Sequence, residues 1–244
     1  MIIKDYSSEV ENFEEFLKDK LEAINEVAGR ESILFKKILY VSFIDSLAAC
    51  VYPGRSNKER FLSLVEQFSR WDDRDRVSLP HLGKFVSLTP DPTLEKMRAY
   101  VMLELKPWPQ KRGKCIPISE DPKYDQLKGF DWDKKILGVD ESISLSDFKH
   151  TALLYQLRNS LVHQFQPRFS EWQPPSSPYY ERVSGMDESH KINPIKIELV
   201  YPTEFLKTLS STIFSHVIQY FKDGNINPFP HYYAGDYWIN ALNR

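Results

Sequence analysis

Arg158, Asn159 and His163 are the residues of this chain whose types and spacing best suit chemistry. An imidazole can both take and give a proton near neutral pH. A guanidinium offers a planar fork of donors to phosphoryl oxygens and to the charge that a phosphodiester gains in its transition state. Where that phosphodiester is RNA, the 2′-hydroxyl is the nucleophile, and such a site needs no metal. Asn159 and His163 are four apart and share a helix face. Arg158 and His163 are five apart, about 140° round the wheel, so only the long arginine stem brings the guanidinium toward the ring. The plainer use of a helical histidine is structural. Arg76 and His81 repeat the same spacing with Pro80 between them, so spacing alone does not single out the second pair.

The element that must position these groups runs from Ser144 to Phe165. Ser144 and Asp147 form a capping box just where the apolar run begins, which predicts the helix start. Apolar residues from Phe148 to Phe165 cover most directions of the wheel and leave one polar sector, Gln156, Asn159, Ser160, His163 and Gln164. A surface helix carries only a stripe, so this one is expected in the middle of a bundle. Its natural partner is Ile33–Tyr52, apolar almost all round, with Asp45 as its one acid. An arginine among leucines needs a carboxylate, a phosphate or water. Asp45 is the candidate structural charge partner for Arg158, unless it caps or bonds elsewhere.

Arg158-Asn159-Ser160-Leu161-Val162-His163 resembles the arginine, polar residue, three more, histidine signature of the HEPN superfamily, all-helical domains that include ribonuclease toxins and antiphage effectors. The resemblance is strong over these six residues and general in the helical framework from Phe13 to Phe221. It implies a helical bundle, a two-fold homodimer that brings two such helices together, and metal-independent RNA cleavage with Arg158, Asn159 and His163 as catalytic residues. A cognate antitoxin or inhibitor protein is the further partner it suggests. The superfamily also holds members that only bind nucleotides or scaffold partners. The chain departs from the short members in its length, its long segment before the signature helix and its hairpin after it.

With 244 residues, net charge −2, 41% hydrophobic and 27% charged residues and only nine glycines, this is a folded chain with room for a sizeable core. No whole-protein field draws it onto nucleic acid, so RNA contacts have to be local. Cys50 and Cys115 make neither a disulfide framework nor a metal spacing, which suits a reducing cytoplasm. The N-terminus has acids where a secretion signal would be apolar. Ile38–Tyr52 is broken by Asp45 and falls short of the roughly 18 residues of a membrane span. No metal set and no cofactor is expected; glycine-rich phosphate loops after a strand do not occur.

One domain, 1–244, is expected: mainly α, a helical bundle of HEPN type with a small β-hairpin inserted before the last helix. Ser8 with Glu11 predicts the first cap, Pro53-Gly54 a helix end, Ser56 with Glu59 the next cap, and Asp91-Pro92 another start. Asp72–Arg76 reads as an exposed turn. Residues 106–143 carry no sustained period and read as a long loop. Within it Lys106, Trp108, Lys111, Arg112 and Lys114 form the basic, aromatic patch suited to RNA phosphates and stacked bases, although an ordinary polar loop anchored by its tryptophan is the plainer reading of the same residues. The hairpin is placed at about 178–201, and the final helix ends at Gly224. An aromatic tail, 225–244, covers the bundle or touches a partner. His231 and Asp236 make no metal set with His190 or His216.

Overall fold

The structure is a computed structural model that describes residues 4–110, 115–130, 133–135, 142–165, 175–183 and 196–232. It is mainly helical, with a small three-stranded open sheet and a separate two-stranded one. Its residues group into two compact units, one of Met1–Trp71, Leu157–Pro167 and Thr203–Arg244, the other of Asp72–Gln156 and Arg168–Pro202.

The first unit is a helix bundle. Helix α1 (Ser7–Glu26) buries Val10, Phe13, Leu17, Leu21 and Ile24, a stripe at steps of three and four, and each such side chain stabilises by about 1.5–3 kcal/mol when it leaves water. Helix α2 (Ser32–Val51) buries residues round most of its girth because α1, α3 (Asn57–Phe68), α8 (Thr203–Gly224) and α9 (Phe229–Tyr232) all pack on it. Phe13 meets Phe221, Phe229 and Tyr232 edge to face at 5.2–6.0 Å between ring centres. The described part of the expected tail thus covers α1; residues 233–244 lie outside the described residues. The Ser56–Glu59 box opens α3 as expected. The Ser8–Glu11 box does not form: α1 starts two residues earlier, with Tyr6 at the N-cap, and the Asp5 carboxylate accepts from the Ser7 amide and hydroxyl. An acid two residues ahead satisfies that orphan amide first.

The second unit pairs α4 (Leu79–Leu88) with α5 (Glu95–Leu105). They approach closely at Gly83, where an added Cβ would lie 2.8 Å from Leu105 Cδ1. Strands β4 (Tyr179–Val183) and β5 (Lys196–Val200) form the expected antiparallel hairpin, in register Tyr180 to Leu199. A third strand, β1 (Cys115–Pro117), adds to β4, and β2 (Asp133–Lys135) pairs with β3 (Ser142–Ser144). The segment 106–143, expected as a loop, therefore holds strands and the short helix α6 (Tyr124–Leu127). Three-residue strands are too short to display a period, and in β1 only Ile116 is buried.

Helix α7 (His150–Gln164) supplies residues to both units. The Ser144–Asp147 box is present, with Asp147 accepting from Ser144 N at 2.9 Å, but it opens a 3-10 turn, Leu145–Phe148. Lys149 is extended (ψ 146°), and the α-helix begins only after it. Asp72–Arg76 is likewise no exposed turn. Residues 73–76 are half-buried, and the carbonyls of Arg74, Asp75 and Arg76 accept from Thr151, Tyr124 and His150. Charge composition alone cannot reveal that a turn's backbone is needed to satisfy amides elsewhere. Among the described residues, no helix is long and apolar enough to cross a membrane.

Candidate functional site

The second half of α7 carries Arg158, Asn159 and His163, all in the first unit. Arg158 Nη2 donates to Asp45 Oδ2 of α2 at 2.6 Å, and its Nη1 donates to Asn159 Oδ1 at 3.1 Å. The latter bond ties the guanidinium to the side chain that stands four residues, one helix turn, before His163. Both charged side chains are mostly sequestered, 11% and 14% exposed. A third charge joins them: Arg60 Nη2 of α3 lies 3.7 Å from the same Asp45 oxygen. Two guanidinium groups on one carboxylate leave one positive charge over. Asp45 Oδ1, Arg60 Nε and Arg158 Nε are buried without a hydrogen-bond partner, so the cluster retains unmet donors and an unmet acceptor.

His163 is exposed, and among the described residues it has no hydrogen-bond partner. The helix stops one residue later at Gln164, and Phe165 after it is 62% exposed and at φ 51°, a left-handed backbone that a bulky residue rarely adopts. The ring is therefore open to a solvent-borne group. Arg60 was not foreseen from sequence; its place in α3, directly after the Ser56–Glu59 cap, reads as solvated surface until α2 and α3 are packed together.

The basic, aromatic patch fares differently. Lys106 is exposed, but Trp108 is only 2% exposed and packs on Tyr180 at 5.2 Å between ring centres. Its indole is a core group and no platform for base stacking, because a large apolar ring beside a sheet is held by the area it buries. Lys111, Arg112 and Lys114 lie outside the described residues.

Arg76 and His81, which share the spacing of the signature pair, separate in the fold. Arg76 holds its own turn through Asp73 and the Asp121 carbonyl, while His81 Nδ1 lies 2.7 Å from Ser78 Oγ. That contact is the outer end of a buried polar network in the second unit. Tyr180 OH bonds Ser78 Oγ at 2.7 Å and also Asp121 Oδ2. Asp121 Oδ2 accepts from His150 Nε2 at 2.8 Å, and Oδ1 accepts from the Leu79 amide at 3.0 Å. His150 Nδ1 lies 3.2 Å from Tyr201 OH, which donates to the His150 carbonyl at 3.1 Å. Ser78, Asp121, His150, Tyr180 and Tyr201 are all buried. Burial, and secondarily the Asp121 charge, push both phenols well above the usual tyrosine range, so each keeps its proton. No local pattern announces this network; its members come from five separate stretches.

Among the described residues no group of three or more His, Cys, Asp or Glu side chains gathers as a metal set. No family model, no curated protein and no solved structure matches the chain.

Proposed function

We propose that the chain is a HEPN-like, metal-independent endoribonuclease that acts as a homodimer, in the role of a toxin or defence effector in the cytoplasm. The observation that carries this reading is an exposed His163 on the helix face of Asn159, whose carbonyl anchors the Arg158 guanidinium. In the dimer, His163 of one protomer removes the 2′-hydroxyl proton, and the 2′-oxygen attacks phosphorus. His163 of the other protonates the 5′-oxygen as its bond to phosphorus breaks, leaving a 2′,3′-cyclic phosphate and a 5′-hydroxyl. The positive charge left over by Arg158, Arg60 and Asp45 attracts the phosphoryl group, and the Asn159 side-chain oxygen holds the Arg158 guanidinium. A single imidazole per chain cannot easily serve both sides of a phosphorus atom, and two-fold pairing provides the second.

One observation favours a second reading, a non-catalytic HEPN-like domain that binds nucleotides or RNA or scaffolds a partner. The Arg158 guanidinium is already neutralised by Asp45 at 2.6 Å, as a structural arginine would be. A cleavage assay on mixed RNA separates the two. Turnover by the wild type that is lost in His163→Ala supports the nuclease; wild type and variant with equal rates, or no turnover in either, support the scaffold.

A further inference from the structure

Asp45 faces two arginines of the first unit and is hydrogen-bonded to one of them. Its Oδ2 accepts from Arg158 Nη2 at 2.6 Å, while Arg60 Nη2 stands 3.7 Å from the same oxygen, inside ion-pair range and outside hydrogen-bond range. Asp45 Oδ1 and Arg60 Nε are both buried without a hydrogen-bond partner among the described residues. Nε and Nη2 form one edge of a guanidinium fork, and a carboxylate presents two oxygens to such an edge. The unmet donor and the unmet acceptor therefore belong to two groups that already approach each other. Closing the Nη2 contact needs less than about 1 Å of movement, because an N–H···O bond forms at roughly 2.7–3.2 Å.

Three helices hold these groups: α2 carries Asp45, α3 Arg60 and α7 Arg158. Arg158 is also anchored through Nη1 by Asn159 Oδ1, so it keeps its place when Nη2 changes partner. An arginine locked to a carboxylate has little charge to offer a ligand. Turning it to a phosphoryl group would strand a carboxylate that is only 14% exposed, which is strongly unfavourable unless another cation takes it over. Arg60 stands where that cation is needed.

We propose that Asp45 changes partner when the site binds a phosphoryl group: it passes from Arg158 to Arg60, and Arg158 Nη2 turns to the phosphoryl oxygens. Asp45 is then an internal competitor for Arg158, and Arg60 is a positioning residue that acts through Asp45 without touching the ligand. No covalent bond or proton changes hands; one carboxylate trades one guanidinium for another, and the surplus positive charge of the cluster meets the negative charge of the ligand. The proposal rests on the reading that this site takes a phosphoryl group, for cleavage or for binding alone.

The test is titration of the full chain with inorganic phosphate and with a mixed-sequence 2′-deoxy oligonucleotide, which carry the phosphoryl group without the nucleophile. Arg60→Gln leaves Asp45 to Arg158 alone and should weaken binding of both probes about tenfold, and Arg60→Lys, which keeps the charge, should recover most of that loss. Asp45→Asn removes the competitor and should tighten binding about tenfold. Adding Arg60→Gln to Asp45→Asn should change affinity by no more than about twofold, because Arg60 then has no carboxylate to hold. A residue that only supported the fold, or that touched the ligand itself, would lose the same factor in both backgrounds. Should Asp45→Asn fail to fold, the wild type still decides: phosphate should move the Arg60 Nε–H proton resonance, assigned by its loss in Arg60→Gln, downfield as that donor gains Asp45 Oδ1. The proposal is overturned by absence of phosphate binding, by Arg60→Gln binding as tightly as the wild type, by equal losses in the two backgrounds, by weaker binding in folded Asp45→Asn, or by an Arg60 Nε–H resonance that phosphate leaves in place. The expected binding pattern without RNA turnover upholds the exchange and removes the nuclease. RNA turnover that Arg60→Gln leaves at the wild-type rate removes the exchange and keeps the nuclease.

Discussion

Asp45 on α2 and Arg158 on α7 meet at 2.6 Å across 113 residues of sequence, and the pair is closed off enough that neither charge is well hydrated. Removing one partner strands the other in poor solvent, which costs more than the intact pair contributes. Asp45→Asn leaves Arg158 and Arg60 facing each other and is expected to lower unfolding stability by about 3 kcal/mol. Asp45→Leu with Arg158→Met should recover most of that loss. Urea denaturation of the single and double variants checks it; an additive loss in the double variant would show that the pair does not interact.

RNA cleavage should depend on the exposed ring. His163→Ala should lose at least the roughly 100-fold that a placed proton-transfer group supplies. Arg158→Ala should lose a comparable factor through charge stabilisation, and His81→Ala should leave cleavage unchanged. Cleavage should persist in EDTA and stop when the scissile nucleotide is 2′-deoxy. Gel assays with variants of verified circular dichroism decide each arm.

Two copies of His163 require two copies of the chain. Sedimentation velocity at micromolar protein should give a dimer, with or without RNA. A strict monomer under both conditions would remove the two-histidine mechanism.

Tyr180 and Tyr201 predict an alkaline transition. Their folded-state pKa values are raised by burial, with the Asp121 charge as a second cause, above the value of about 10 they take when unfolded. The stability tied to these protons is complete below pH 10 and is lost as pH rises beyond it, because the unfolded chain then releases protons that the folded chain holds. Tyrosinate absorbance should show these two phenols ionising only as near-ultraviolet dichroism collapses. Ionisation that precedes loss of the fold would contradict their burial.

The two thiols should separate cleanly. Burial pushes Cys50 up to about 12, while Cys115 is exposed. Since the thiolate is the reactive form, iodoacetamide at pH 8 should label Cys115 and leave Cys50 intact until the protein unfolds. Peptide mass analysis of native and urea-treated protein reads the difference.

The sequence by itself determined the long helices. Val10, Phe13, Leu17, Leu21 and Ile24 mark α1 because a 3.6-residue period is local and survives any arrangement of neighbours. The same holds for the Ser56–Glu59 cap and for the hairpin of Tyr179–Val183 with Lys196–Val200, whose β-favouring runs lie close in the chain. It also marked Arg158, Asn159 and His163 as one group, since their spacing on a single helix is legible without a fold.

Tertiary structure alone decided which groups those side chains meet. Asp45 had two uses open to it until packing set α2 against α7, and Arg60 joined only because α3 packs on α2. Trp108, equally suited by type to a base or a core, became core once Tyr180 stood beside it. Asp121, His150, Tyr180 and Ser78 converge from as far as 102 residues apart. Contacts of that range depend on how elements pack, and a buried polar group reveals its partner only when every donor and acceptor around it has been placed.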